Sequence, residues 1–126
     1  MRRYRIVVIG LLIVLAISAV GLAADKVIKF GILAPFTGGS APNGDATTNG
    51  ALLAIEQINK EGGILGHKLE LVWEDSQGAA TPAVTAAQKL IYQHKVDVII
   101  GDTQSTAVLA AEPLVAKEEV IMFPLG

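Results

Sequence analysis

The sequence predicts an α/β fold built on a doubly wound parallel sheet, and three observations predict it. Apolar runs rich in Val, Ile and Leu recur along the chain, as expected of strands covered on both faces. Each alternates with a segment whose apolar residues fall at helical spacing. The connections between them are short. The resulting order, β-α-β-α-β-α-β, argues parallel strands joined by crossover helices. Right-handed crossovers restrict the arrangement, and the expected strand order begins 2-1-3-4.

The elements follow in turn. Val27 to Ala34 (VIKFGILA) reads as the first strand and stops at Pro35. Pro35 to Gly44 is a loop of Gly, Pro and small polar residues. Asp45 to Asn59 reads as a helix with Asp45 as N-cap and Ala51, Leu52, Ile55 and Ile58 on its buried face. Glu61-Gly62-Gly63 stops it. Leu69 to Trp73 is the second strand, and Glu74 to Thr81 the loop after it. Pro82 to Gln93 reads as the second helix, with proline in its first turn. Val96 to Ile100 is the third strand. Ser105 to Lys117 is the third helix, which Pro113 is expected to bend or shorten. Val120 to Phe123 is the fourth strand.

The first residues are set apart from this pattern. Arg2, Arg3 and Arg5 precede a run, Ile6 to Ala24, without a charged residue. A basic start, an apolar stretch and small residues at its end describe a secretory signal peptide over residues 1–23. Gly21 and Ala23 suit cleavage after Ala23, and Ala19 and Gly21 offer a second site after Gly21. An uncleaved membrane anchor is the alternative, because the uncharged run approaches the roughly 20 residues that span a bilayer. The chain has no cysteine, which excludes a lipoprotein thioether and disulfide stapling. Without residues 1–23 the net charge moves from −2 to −5, since three basic residues leave and no acidic one does. Such a surface has no basic stripe, so no nucleic-acid partner is expected.

In a 2-1-3-4 sheet the helices after the first and third strands leave to opposite faces, and a ligand crevice opens at the strand ends between them. The loops at that crevice are Pro35–Gly44 and Gly101–Thr106. The stretch Val96 to Ala107 (VDVIIGDTQSTA) runs from strand through glycine and hydroxyls into helix. Ser105 or Thr106 suits an N-cap. The same residues also suit a ligand contact, since a helix start offers free N–H groups to an anion.

Other chemistries fit poorly. TGGSAPNGD contains neither GxGxxG nor a P-loop lysine. Glu74, Asp75 and Asp102 fall at strand ends, but the first strand ends Ala-Pro-Phe and not on an acid, so a phosphorylation receiver is disfavoured. They read as solvated charges. Asp97 reads as a solvated charge at a strand edge. His67 and His94 lie in connections away from the crevice, without a cysteine or carboxylate at ligand spacing, so no metal site is expected. There is no G-x-S-x-G elbow or other nucleophile set. The expectation is a binding protein, with no enzyme activity and no cofactor.

Several stretches carry a family resemblance: IKFGILAPFTG (28–38), Gly44-Asp45, GALLAIEQINKEGGILGHKLELVWEDSQ (50–77), the A-x-x-A-x-K-L-I pattern of the second helix, and VDVIIGDTQSTA (96–107). Together they resemble the type I periplasmic binding proteins, most closely the leucine/isoleucine/valine-binding branch. The I-N-x-x-G-G-I-x-G-x-x-L run (58–69) is the most specific element. The resemblance implies the first part of lobe one of a two-lobed, hinged solute receptor. Residues 24–126 would be the N-terminal part of a longer ligand-binding domain. It implies a receptor that takes an amino acid, branched-chain-like, or a similar small polar solute outside the cytoplasmic membrane. The receptor is expected to be monomeric at full length and to deliver its ligand to the membrane subunits of an ABC permease. By position, Ser105 would hold the ligand carboxylate, with Gln104 and Thr106 beside it. Leu125 and Gly126 fall where a second contact segment starts, and Asn43 stands where the family often places an aromatic. A sensory ectodomain with a retained N-terminal anchor is the alternative use of the same fold.

Overall fold

The computed structural model describes residues 27–126, so the expected signal peptide lies outside the described residues. Four parallel strands form one sheet in the order β2-β1-β3-β4. They are β1 (Val27–Ala34), β2 (Lys68–Asp75), β3 (Val98–Gly101) and β4 (Ile121–Phe123). Helix α1 (Ala41–Lys60) joins β1 to β2, α2 (Ala80–Gln88) leads toward β3, and α3 (Ser105–Lys117) joins β3 to β4. The order is the expected 2-1-3-4.

The two faces of the sheet are filled from different helices. Leu33 and Ile99 point to one face and form a cluster with Ala86, Ala87 and Leu90 after β2, and with Ala111 and Val115 of α3. Ile32, Leu33, Leu90 and Ile99 are fully buried. Burying one such side chain is worth about 1.5–3 kcal/mol, so Leu33, Leu90 and Ile99 make this cluster a large contributor to stability. On the other face, Phe30, Leu69 and Ile100 meet Ala51, Ile55 and Ile58 of α1 around an apolar cavity of about 170 Å³. The predicted face of α1 is therefore the one that covers the sheet, apart from Leu52, which is exposed.

The I-N-x-x-G-G-I run has a physical account. The Asn59 side chain donates to the Leu69 carbonyl and accepts the Leu69 N–H, both at 2.8 Å. It thereby acts as a short strand partner that anchors the start of β2 to the end of α1. Gly63 passes so close to the next turn that a Cβ there would stand 2.0 Å from the His67 carbonyl oxygen.

Several boundaries differ from expectation. Helix α1 begins at Ala41, so Asp45 lies inside it and is not its N-cap; Ser40 is, with Pro42 in the first turn, and no side chain caps it. The proline supplies a helical φ and lacks the N–H that an earlier start would otherwise leave orphaned. Strand β2 is longer than Leu69–Trp73 because all eight residues pair with β1. Helix α2 starts at Ala80 and passes without a break into a π-helical stretch, Lys89–His94. It ends at Lys95, whose backbone is left-handed. Pro113 does not shorten α3, which continues to Lys117. Proline forfeits one hydrogen bond there, while the buried stripe Ala107, Ala111 and Val115 keeps the helix on the core. Among the described residues, no helix is long and apolar enough to cross a membrane.

Candidate functional site

The carboxyl ends of the strands converge on one rim of the sheet, and hydrogen bonds tie their loops together. β2 ends at Asp75. The Asp75 carboxylate accepts the Phe36 and Gln77 N–H groups, both at 2.8 Å, and the Thr37 hydroxyl at 2.6 Å. Burial alone would raise its pKa, but these donors outweigh burial and hold the carboxyl below its ordinary value. The loop after β1 is thus fixed to the end of β2. Ser76 follows, and its N–H donates to the Ala34 carbonyl at 3.0 Å.

β3 ends at Gly101, whose φ is +113°. A Cβ there would lie 2.0 Å from the Leu33 carbonyl oxygen. The chain then turns through Asp102. The Asp102 carboxylate accepts the Gln104 N–H at 2.9 Å and the Ser76 hydroxyl. Asp102 and Ser76 are both fully buried, which corrects the reading of Asp102 as a solvated strand-end charge. A carboxylate can be buried here because both of its oxygens are bonded.

Helix α3 starts at Ser105. Neither Ser105 nor Thr106 is its N-cap: Gln104 is, in extended conformation and without a side-chain cap bond. The reason is the Asp102 turn, which takes the Gln104 N–H and moves the helix start past that residue. Ser105 and Thr106 are exposed in the first turn. The Ala107 N–H already bonds the Gln104 carbonyl at 2.9 Å, so the backbone donors left at this end are those of Ser105 and Thr106, beside their two hydroxyls. The Gln104 amide reaches back to the Ser40 hydroxyl at 3.4 Å, and its Cγ is 3.2 Å from where a Cβ of Gly78 would stand. Gln104 therefore bridges the loops after β1, β2 and β3.

The segment after β4 closes the rim. The Leu125 N–H donates to the Asp102 carbonyl at 3.1 Å, and Gly126 lies against the Thr103 backbone. Five of the residues singled out from the sequence, Gln104, Ser105, Thr106, Leu125 and Gly126, thus come together. Asn43 stands apart on the first turn of α1. Its N–H donates to the Ser40 carbonyl at 3.0 Å, and Ser40 is its link to the others.

The chain matches the family model for periplasmic binding proteins over residues 27–126. It belongs to the periplasmic binding protein family. Among its relatives is the Leu/Ile/Val-binding protein BraC3 of Rhizobium johnstonii, 36% identical over 75% of this chain and 26% of the relative. Another is the leucine-, isoleucine-, valine-, threonine- and alanine-binding protein of Pseudomonas aeruginosa, 37% identical over 83% of this chain and 28% of the relative. Among solved structures, the branched-chain amino acid transporter substrate-binding protein LivJ of Streptococcus pneumoniae, in complex with isoleucine, superposes with a TM-score of 0.74 at 33% identity. That match covers 79% of this chain and 28% of LivJ. A solute-binding protein of an ABC transporter from Rhodopseudomonas palustris, in complex with 3,4-dihydroxybenzoic acid, superposes with a TM-score of 0.66 at 33% identity, over 78% of this chain and 26% of that one. The chain spans between a quarter and three-tenths of the length of these four relatives. The first three place it in the branched-chain amino acid branch of the family, and the structures confirm the expected α/β fold.

Sequence reasoning missed Ser40, Ser76 and the burial of Asp102. One signal was present. Asp-x-Gln at both 75–77 and 102–104 is the spacing of an Asx-turn, in which the carboxylate takes the N–H two residues on. The pairing with Ser76 had no local signal. Elsewhere, His94 is not without a carboxylate: its Nε2 lies 2.9 Å from Glu74 Oε1, while Lys89 Nζ lies 3.1 Å from Glu74 Oε2. Burial opposes ionisation of Glu74, but these two partners prevail and lower its pKa. The sequence hid this pair because the π-helical stretch carries His94 alongside β2. Asp97 remains exposed but accepts the Lys29 N–H at 2.8 Å at the opposite end of the sheet. No three His, Cys, Asp or Glu side chains among the described residues are placed to hold a metal.

Proposed function

We propose that this chain is part of the solute-binding component of an ABC importer. It is exported, takes up an amino acid or a related small acid outside the cytoplasmic membrane, and presents it to permease subunits. The observation that carries this reading is the first turn of α3. Ser105 and Thr106 lie exposed there at the carboxyl ends of a parallel sheet, and Leu125 and Gly126 meet the Asp102-Thr103 turn that leads into it. Isoleucine and 3,4-dihydroxybenzoic acid, the ligands in two of the similar structures, share a carboxyl group. A helix start with hydroxyls accommodates that group without a formal positive charge. Gln104 and Asn43 would then face the remainder of the ligand, and no cofactor or catalytic step is involved.

The test is a two-dimensional amide NMR titration of the ¹⁵N-labelled chain, which reads weak binding. The panel is L-leucine, L-isoleucine, L-valine, 3,4-dihydroxybenzoate, acetamide and urea. At least one acid should shift the amides of Ser105, Thr106 and Gly126. Dispersed, folded spectra that no panel member perturbs at those amides would refute the reading. Ser105→Ala should weaken binding of the acid by about 1–3 kcal/mol, the value of a hydrogen bond to a charged group.

A second use of the fold, a sensory ectodomain, draws on the uncharged run from Ile6 to Ala24, which is close to membrane-spanning length. N-terminal sequencing of the exported protein separates the two. A start at Ala24 or Leu22 supports the soluble receptor, and an intact Met1 supports the anchored sensor.

A further inference from the structure

Asp102 is a buried carboxylate bonded to three segments at the candidate site. Its side chain accepts the Gln104 N–H at 2.9 Å, and its carbonyl accepts the Leu125 N–H at 3.1 Å. Its second carboxylate oxygen takes the Ser76 hydroxyl, and Ser76 Oγ in turn accepts the Gly78 N–H at 3.1 Å. Both Asp102 and Ser76 have no exposed surface. Removing a carboxylate from water is costly, and an apolar residue could fill the space at lower cost. The burial is therefore explained best by what the carboxylate holds in place.

We propose that Asp102, oriented by Ser76, is the positioning residue of the binding rim. It sets the register of Gln104–Thr106 against Leu125–Gly126, the two segments that would grip the ligand carboxylate. The inference rests on the binding reading above for its consequence, though not for its geometry. The Asp102 turn consumes the Gln104 N–H, so the backbone donors left for a ligand begin at Ser105. It also spaces the start of α3 from the segment after β4 through a single residue bonded to both. Ser76 brings in the loop after β2 as a brace behind the rim.

The experiment compares the wild-type chain with Ser76→Ala, Asp102→Asn and Asp102→Ala by amide NMR, first without ligand and then with L-isoleucine or 3,4-dihydroxybenzoate. Without ligand, Ser76→Ala should shift the amides of Gln104, Leu125 and Gly126 while the amides of β1 and α1 stay in place. The Gln104 amide proton should move upfield in Asp102→Ala, as it loses a charged acceptor. With ligand, Ser76→Ala and Asp102→Ala should weaken binding about tenfold, as for one hydrogen bond to a charged group. Asp102→Asn keeps an oxygen acceptor for the Gln104 N–H and should recover most of that loss. Unchanged Leu125 and Gly126 amides in Ser76→Ala would overturn the positioning role, as would an Asp102→Asn variant that binds no better than Asp102→Ala. If Asp102→Ala does not fold, Ser76→Ala decides alone, because it leaves the Gln104 bond intact. A wild-type chain that binds neither acid refutes the binding reading only, since the ligand-free shifts still test the register.

Discussion

A methyl group at Gly101 would have no room. Its Cβ would press on the Leu33 carbonyl oxygen at 2.0 Å, at a φ of +113° that side chains disfavour. Gly101→Ala should therefore cost more than about 2 kcal/mol in urea denaturation, from overpacking and backbone strain together. Asp75 makes a different demand. Its pKa is lowered on folding, because its three bonded neighbours outweigh the effect of burial. A carboxyl with a depressed folded pKa contributes stability above its unfolded value, about 3.9, and loses it as pH falls through the folded one. Thermal melts should thus weaken below about pH 4. In Asp75→Asn that part of the acid dependence should disappear, with a loss of about 1–3 kcal/mol at neutral pH. Both residues show what is legible at this scale. A glycine at a strand end and an Asx spacing can be read locally. The oxygen that excludes a side chain at Gly101 belongs to β1, and the hydroxyl that meets Asp102 belongs to the loop after β2. Neither neighbour is written in the residues around them.

At the scale of elements, apolar spacing located every strand and helix, because each must bury one face to be stable. It placed the ends less well. Helix α1 starts four residues before Asp45 because the Pro42 backbone already suits a helix, and an N-cap side chain is not required where none bonds. The second helix keeps its apolar face through Leu90 by widening into a π-helical stretch, a choice that apolar spacing at 3.6 residues does not register. Leu90 is the anchor of that stretch: it is fully buried, contacts the position of Gly31 across the sheet, and its carbonyl accepts the Val96 N–H at 3.1 Å. Leu90→Ala should cost about 2–5 kcal/mol, as for other buried leucines. Leu109 of α3 is 67% exposed, and Leu109→Ala should stay within about 0.5 kcal/mol. Chemical denaturation of the two variants side by side tests whether the cluster beneath α2 and α3 carries the stability. Similar losses for both would refute that assignment.

For the molecule as a whole, connection handedness narrows the strand order, and the expected 2-1-3-4 is the one observed. What that order exposes was not legible in the sequence. Helix α1 packs mainly on β1 and β2 and reaches β3 at Ile100, while Ile121 and Phe123 of β4 stay exposed. Met122 turns toward the cluster under α2 and α3, and alternation along β4 therefore sends Ile121 and Phe123 to the opposite side. They are 57% and 59% exposed, beside half-buried Val98 and Ile100. β4 is also an edge strand whose outer backbone groups are unpaired among the described strands. An open parallel edge next to an apolar face invites association. The chain studied alone should self-associate with rising concentration and bind a hydrophobic dye such as ANS. Replacing both residues, Ile121→Thr with Phe123→Thr, keeps β propensity and removes apolar surface. The double variant should sediment as a smaller species and bind less dye, with the amide spectrum of the rim unchanged. Because the rim lies at the strand ends and the apolar side chains on the sheet face, ligand shifts at Ser105 and Gly126 should survive in the double variant. Their loss would mean that the face and the rim are coupled and that the two cannot be treated as separate surfaces.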